Sequence, residues 1–256
     1  IYLSCYIEKQ DIIIMTRLLK LSILTLSAFV FMNCSGDDDN NAAPEPITVT
    51  DADGNVYNTI VIGNQTWMLE NLKTTTYNDG TPITQYTFAT NGNNWGSLNN
   101  QEEFYQWANT DDLNDAVDFD MPFDYYGAMY NHFTIESGKL APEGWRIPTT
   151  QDFIALENYL SANGYAGMEA TALKSDSGWL PSIGSGTDAI GFRGLPNGYV
   201  SVPGTPTFSE GICTWGTLDV NTTNSTRTAI QLFDEDTILY SNNAMQIGVG
   251  IRCIKN

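Results

Sequence analysis

The stretch that decides the fold is APEGWRIPTTQDFIALENYL, residues 141–160. It predicts a helix that begins after Pro148, with the Thr150 side chain as its N-cap. Apolar residues then recur at spacings of three and four, which places them on one face: Phe153, Leu156, Tyr159 and Leu160. Gly164 is predicted to end this helix, and a second short helix is predicted from Gly167 to Lys174.

Short strands are predicted on both sides of this helix. Residues 49–57 place an Asp-Gly turn between two short strand-like stretches, and residues 59–69 place Gly-Asn-Gln between TIVI and TWML. Each pattern is typical of a β-hairpin. Short strands are predicted again from Gly178 onward, the last from Gly248 to Ile254, whereas Thr90 to Asp120 lacks periodicity and is predicted to be a long ordered loop. We therefore expect an α+β fold.

The composition narrows the classes of partner. The 256 residues include 30 acidic and 11 basic side chains, for a formal net charge of −19. Nucleic acids and flat anionic membrane surfaces are bound through basic patches, so this balance argues against both. It permits neutral ligands such as glycans, and divalent cations. Acidity of this kind also simply keeps a protein soluble.

The N-terminal region predicts export. A basic start at Met15 to Lys20 precedes an uncharged apolar run, Leu21 to Met32, which is too short to span a bilayer but suits a signal peptide. Cys34 follows directly and resembles the lipidated cysteine of bacterial lipoproteins. Residues 35–39, SGDDD, are similar to the acidic surface-export tag of Bacteroidetes lipoproteins. The alternative is an ordinary cleaved signal beside an unrelated cysteine.

Three regions follow from this assignment. Residues 1–33 are upstream sequence and signal peptide, residues 34–47 are the lipidated cysteine with an acidic flexible tether, and residues 48–256 are one globular domain. We expect the protein on the outer membrane, exposed at the cell surface and in contact with the membrane only through its lipid. A lipid-modified cysteine with two or three acyl chains anchors a protein stably.

Six stretches, in order, resemble one known family. They are GNQTWMLENL (63–72), YGAMYN (126–131), APEGWRIPT (141–149), ALKSDSGW (172–179), GFRGLPNGY (191–199) and GIRC (250–253). Together they are similar to the Fibrobacter succinogenes major paralogous domain over residues 49–256. The WRIPT segment and the GIRC strand also resemble the C-type-lectin-like and formylglycine-generating-enzyme superfold. That resemblance implies a small twisted antiparallel sheet, one or two helices and long ordered loops, but no particular activity.

Two cysteines remain in the predicted domain, Cys213 and Cys253. An exported protein can form disulfides, and a bridge here would close a loop of about 40 residues and add roughly 3–4 kcal/mol of stability. We predict that they pair; two buried free thiols are the alternative. Their neighbours are apolar and strand-like, which does not suit a reactive thiolate of the oxidase type.

The sequence contains no recognisable catalytic motif. His132 is the single histidine, and no nucleophile-elbow signature, phosphate loop or dinucleotide fingerprint occurs. A pair of carboxylates for glycoside hydrolysis is compatible with so acidic a chain, although the sequence singles out no pair. A non-catalytic role is therefore favoured, with a polysaccharide hydrolase as the alternative.

An acidic cluster follows at residues 111–120, DDLNDAVDFD. Closely spaced carboxylate and amide oxygens are the ligands that Ca²⁺ prefers. The candidate metal ligands are Asp111, Asp112, Asn114, Asp115, Asp118 and Asp120. The cluster lacks the glycine and terminal glutamate of an EF-hand, so a solvated acidic loop is the competing interpretation.

Three aromatic residues of the predicted loop are candidate ligand contacts: Trp95, Tyr105 and Trp107. Exposed rings pack against sugar C–H faces and also dominate protein interfaces. The same rings could instead anchor the loop to the sheet. We expect a surface-exposed binding or adhesion module for a glycan or a surface protein, with a structural role in a surface complex as a further alternative.

Overall fold

The computed structural model describes residues 47–108 and 124–256. These residues contain four α-helices: α1 (Phe88–Asn91), α2 (His132–Glu136), α3 (Thr150–Leu160) and α4 (Glu169–Leu173). A 3-10 turn spans Gly92–Asn94, and a π-helical turn spans Ser161–Tyr165. The strands are β1 (Thr48–Thr50), β2 (Val56–Ile62), β3 (Gln65–Met68), β4 (Thr84–Gln85), β5 (Phe104–Trp107), β6 (Ala128–Tyr130), β7 (Trp145–Arg146), β8 (Tyr199–Val200), β9 (Pro206–Thr207), β10 (Cys213–Asn221), β11 (Thr226–Leu232), β12 (Leu239–Ala244), β13 (Val249–Gly250) and β14 (Ile254–Lys255).

The strands form two main sheets and one short pair. The five-stranded sheet has the order β1-β2-β3-β14-β7, the seven-stranded sheet β12-β11-β10-β13-β6-β5-β4, and β8 pairs with β9. Most pairs are antiparallel, while β4 with β5 and β10 with β13 are parallel. The domain is therefore mixed and mostly β, which agrees with the α+β prediction. Its sheets are larger than the single small sheet that the resemblance implied.

Both predicted N-terminal hairpins are present. β1 pairs with β2 from Thr48 with Asn58 onward, and β2 pairs with β3 around a turn at Gly63. Gly63 has φ +59°, and a Cβ there would lie 2.8 Å from the Tyr159 ring of α3. Glycine thus allows both the left-handed turn and the close approach of the helix.

The main helix is where the sequence predicts it. Its N-cap is Thr149 rather than Thr150, in a capping box with Asp152. The Asp152 carboxylate also binds the Arg146 guanidinium, with N–O distances of 2.6 and 2.7 Å, so one carboxylate links β7 to the first turn of α3. Phe153, Leu156 and Leu160 are buried and pack with Trp67 and Trp215 in one core cluster.

The predicted last strand, Gly248 to Ile254, is split between the two sheets. β13 pairs with β6 and β10 in the seven-stranded sheet, whereas β14 pairs with β3 and β7 in the five-stranded sheet. The residues between them still bond to neighbouring backbone: Leu72 N–H donates to Ile251 O at 2.7 Å and Met68 N–H donates to Cys253 O at 3.0 Å. This crossing segment, residues 249–255, joins the two sheets.

The predicted disulfide is wrong: Cys213 and Cys253 are both buried free thiols. The reason is the strand register. Trp215 lies opposite Gly250 in the parallel pair of β10 and β13, so Cys213 precedes this point by two residues and Cys253 follows it by three. The two residues consequently lie in different core clusters.

The prediction of a loop over residues 90–120 is wrong for Phe104–Trp107, which form β5 between β4 and β6. The Asn131 side chain fixes the first residue of β5, because its Oδ1 accepts a hydrogen bond from Phe104 N–H at 3.0 Å. No helix in the described parts of the chain is long and apolar enough to cross a membrane.

Candidate functional site

A cleft of about 350 Å³ lies beside the five-stranded sheet. Its walls come from four separate parts of the chain: the start of β2, the segment after β3, the residues before β6, and the loop that follows Phe192. Its lining includes the side chains of Leu69, Glu70, Lys73, Asp124, Tyr125 and Arg193. The cleft therefore combines charged groups of both signs with the aromatic rings of Tyr57 and Tyr125 and an apolar wall.

Asn71, which also lines the cleft, holds these parts together. Its Oδ1 accepts three hydrogen bonds, from Trp215 Nε1 at 2.8 Å and from Arg252 Nε and Nη2 at 3.2 and 3.0 Å. Its Nδ2 donates to Tyr126 O at 2.9 Å. The Asn71 side chain thus ties the cleft wall to β10, to the crossing segment and to the residues before β6, with three bonds to its oxygen and one from its nitrogen.

Arg252 is fully buried next to Asn71. Its guanidinium packs over the rings of both Phe192 and Trp215, 4.8 and 4.9 Å from their centroids. It also donates to Phe192 O and, at 3.3 Å, to Arg193 O. Burial lowers the pKa of Arg252 to about 10, so the group is still charged at neutral pH. Carbonyl dipoles and two aromatic faces offset that charge.

The acidic groups of the cleft already have partners. Glu70 accepts from Asn58 N–H and Nδ2, both at 2.9 Å. Asp124 forms an ion pair with Lys73, with an N–O distance of 2.6 Å. Both carboxylates are therefore held in place by neighbouring donors.

Arg193 differs from Lys73, the other basic side chain that lines the cleft. It is exposed, and its backbone has φ +55°, which is uncommon for a residue with a side chain. Its N–H donates to Asp188 Oδ1 at 2.7 Å, while its carbonyl accepts from Arg252. Tyr125 is half-buried nearby. Burial raises the pKa of Tyr125, and the positive charge of Arg193 opposes that rise.

A second polar cluster lies on α2 and β11. Arg227 is 4% exposed and donates to Thr217 O, to Glu136 Oε1 at 2.7 Å and to His132 Nδ1 at 2.8 Å. Burial, helped by the charge of Arg227, lowers the pKa of His132. Because Nδ1 accepts from Arg227, the neutral ring carries its proton on Nε2. No serine or cysteine hydroxyl or thiol bonds to this histidine within the described residues.

The three predicted aromatic contacts are mostly core residues. Trp95 is 1% exposed and Tyr105 is 7% exposed, so the expectation that these rings face a ligand is wrong for both. Trp95 packs edge-on against Tyr86 at 5.3 Å between ring centroids and covers Gly248. Trp107 is partly buried, and its ring lies 5.5 Å from that of Tyr105. These rings anchor their segment to the sheet, which is the alternative to ligand contact that the sequence left open.

The remaining predicted site residues are the cysteines and the candidate calcium ligands. Burial raises the pKa of both Cys213 and Cys253, which disfavours thiolate chemistry. Cys34 and the predicted calcium ligands of residues 111–120 lie outside the described residues. Within residues 47–108 and 124–256, no group of three or more His, Cys, Asp or Glu side chains could hold a metal ion.

Sequence reasoning missed Tyr125, Lys73 and Arg193 as cleft residues. Arg193 belongs to the GFRG stretch, and its presence in so acidic a chain was the available signal. The same signal applies to Arg252, which has similar sequence neighbours but is buried. Only the three-dimensional arrangement shows that one arginine supports the cleft and the other faces it.

Comparison with known proteins bears on the whole domain. Residues 60–255 match the Fibrobacter succinogenes major domain. A search of curated proteins and a search of solved structures each found no match. The matched region includes Asn71, Trp215 and Arg252, whose contacts join the two sheets, and it covers about three quarters of the chain. This chain therefore belongs to the Fibrobacter succinogenes major domain family.

Proposed function

We propose that this protein is a surface-exposed lipoprotein, anchored through Cys34, whose folded domain binds a glycan at the cleft without catalysing a reaction. The observation that carries the proposal is the cleft itself. It combines polar and charged groups with the half-buried ring of Tyr125 and the apolar side chains of Leu69 and Leu195. Sugars present both hydroxyl groups and C–H faces, which need these two kinds of contact.

The size of the cleft supports a small part of a glycan as the ligand. A volume of about 350 Å³ lies at the lower end of the range for small-molecule sites. The Lys73–Asp124 pair and Glu70 can exchange hydrogen bonds with hydroxyl groups while keeping their protein partners, because a carboxylate oxygen accepts more than one bond.

Binding without turnover is favoured over hydrolysis by the state of the acidic groups. Glycoside hydrolysis needs one carboxyl group kept protonated and a second that acts on the sugar. In the cleft, Glu70 is bonded to Asn58 and Asp124 to Lys73, so each carboxylate already has a protein partner. The polar cluster of Arg227 and His132 has no nucleophile attached to it among the described residues.

The finer fold assignment is also a proposal. We place the domain in the C-type-lectin-like superfold, supported by the helix α3 that opens directly after the WRIPT segment and by β14, which pairs with β3 from the start of the domain. An experimental structure of this chain that cannot be superposed on such domains over both sheets would reject the assignment.

The binding proposal is tested by screening the full chain against a glycan panel that contains neutral and acidic sugars, with calcium and with a chelator. We expect saturable binding that falls at least tenfold in Tyr125→Ala. Phe88→Ala is the matched control, because Phe88 is an aromatic residue that is 65% exposed and does not line the cleft. Loss of binding in chelator would support the calcium site at residues 111–120.

Two results would reject the proposed function. One is the absence of binding to any glycan by a correctly folded protein. The other is release of shortened product from a bound polysaccharide, which would make the protein a hydrolase. Lipidation is tested separately: incorporation of labelled palmitate by the wild type and not by Cys34→Ala is the expected result.

A further inference from the structure

The basic side chains of the described residues are almost all committed to partners. Six of the eight bind a carboxylate, a carbonyl or an amide oxygen: Lys73 with Asp124, Lys139 with Asp79, Arg146 with Asp152, Lys174 with the Phe233 carbonyl, Arg227 with Glu136, and Arg252 with Asn71. Arg193 and Lys255 are the two without such a partner in residues 47–108 and 124–256. Of these two, only Arg193 lines the cleft.

The backbone at Arg193 is fixed in an unfavourable conformation. A φ of +55° costs a residue with a side chain roughly 1–2 kcal/mol. Bonds on both sides hold it: Asp188 takes its N–H, Arg252 donates to its carbonyl, and Gly194 N–H donates to Leu173 O at 2.8 Å. Backbone strain of this kind is concentrated at sites where a side chain has to be presented in one direction.

Tyr125 supplies a second donor near the Arg193 guanidinium. Both residues line the same cleft, so one ligand can meet both groups. A guanidinium fork with a neighbouring hydroxyl donor is suited to a carboxylate, because the guanidinium can donate two parallel hydrogen bonds.

We propose that the ligand of the cleft is a carboxylate-bearing sugar, a uronate residue of a polysaccharide, whose carboxylate binds Arg193 with Tyr125 beside it. This inference rests on the proposed glycan-binding function and specifies its ligand. The sugar ring then lies against the apolar wall of Leu69 and Leu195, and its hydroxyl groups face Glu70 and Lys73.

The charge distribution favours a singly charged sugar over other anions. The chain has a net charge of −19, which repels densely charged polymers such as nucleic acids, whereas one guanidinium suits one carboxylate. A peptide C-terminus is commonly captured by free backbone N–H groups. Here the N–H groups of Arg193 and Gly194 are already bonded, to Asp188 and Leu173 respectively.

The test uses the full chain and isothermal titration calorimetry with the methyl glycoside of galacturonate, which carries one carboxylate, and with its methyl ester, which adds one methyl group and lacks the charge. We expect the acid to bind at least tenfold more tightly than the ester. Arg193→Gln should weaken acid binding about 10- to 100-fold, the usual loss for a charge-assisted hydrogen bond, and leave ester binding unchanged. Arg193→Lys should fall between, because it keeps the charge and loses the fork.

Lys255→Gln is the matched control, since it removes one exposed positive charge away from the cleft; it should bind the acid as the wild type does. Circular dichroism of each variant checks that the fold is retained. Equal affinity for acid and ester, or an unchanged affinity in Arg193→Gln, would overturn the carboxylate assignment and leave glycan binding intact. A peptide acid that displaces the galacturonate glycoside, where the peptide amide does not, would overturn the choice of a sugar. Failure of every neutral and acidic glycan to bind would reject the underlying function instead.

Discussion

Arg252 and Arg227 are both buried arginines, but their surroundings differ. Arg252 bonds only to neutral oxygens, those of Asn71, Phe192 and Arg193, and its guanidinium packs over two aromatic rings. Arg227 bonds to a carboxylate, Glu136, and to the imidazole of His132. The first arrangement cross-links the two sheets without a counter-charge. The second should respond to pH, because His132 gains a proton as the pH falls.

The largest expected effect comes from removing Arg252. In Arg252→Met, one side-chain oxygen and two carbonyls lose buried donors, so we expect a loss of about 3 kcal/mol in the free energy of unfolding. In Arg227→Met we expect about 1–2 kcal/mol, since Glu136 is more than one-third exposed and water can replace its partner. Urea denaturation of the two variants measures the difference.

Lys255→Met is the control for the change to methionine, with an expected effect below about 0.5 kcal/mol because Lys255 is exposed. If Arg227→Met proved as costly as Arg252→Met, the distinction between the two sites would fail.

A smaller effect is expected when a counter-charge is introduced beside Arg252. In Asn71→Asp the new carboxylate can pair with Arg252, but Tyr126 O loses its donor and faces a negative oxygen. We expect a net loss of about 1–2 kcal/mol at pH 7, measured from the urea midpoint. A variant more stable than the wild type would show that Arg252 lacks a counter-charge for a reason other than stability.

The smallest effect concerns pH at the Arg227 cluster. The pKa of His132 in the folded protein is below the ordinary histidine value of 6.5, so the unfolded chain takes up the proton first as the pH falls. The stability due to the neutral ring is therefore present above about pH 6.5 and decreases as the pH falls below it. We expect the urea midpoint to drop more between pH 8 and pH 5 in the wild type than in His132→Gln. Parallel pH profiles would contradict this expectation.

Local signals predicted much of the fold. The hairpins at residues 49–69 and the helix from Thr150 were predictable because turn glycines and apolar spacing act over a few residues. The division of residues 248–254 between two sheets was not, because a short apolar stretch looks the same whichever strands it joins. The free thiols follow from that division, since it carries Cys253 away from Cys213.

The candidate site was harder to predict than the fold. Trp95 and Tyr105 lie in a stretch without periodicity, where nothing local distinguishes a ring that anchors the segment from one that faces a ligand. Arg193 and Arg252 both occur in small-residue motifs, GFRG and GIRC, with similar neighbours. Their different exposure depends on Asn71, which is more than 100 residues away in the sequence from either.

The crossing segment also determines when this domain can finish folding during synthesis. β13 is the central strand of the seven-stranded sheet and β14 lies between β3 and β7, so both sheets remain interrupted until residues 249–255 have been made. Strands that pair across nearly 200 residues close large loops, which slows folding. A nascent chain that ends before residue 249 should therefore expose unpaired strand edges from both sheets and be a ready substrate for chaperones and proteases.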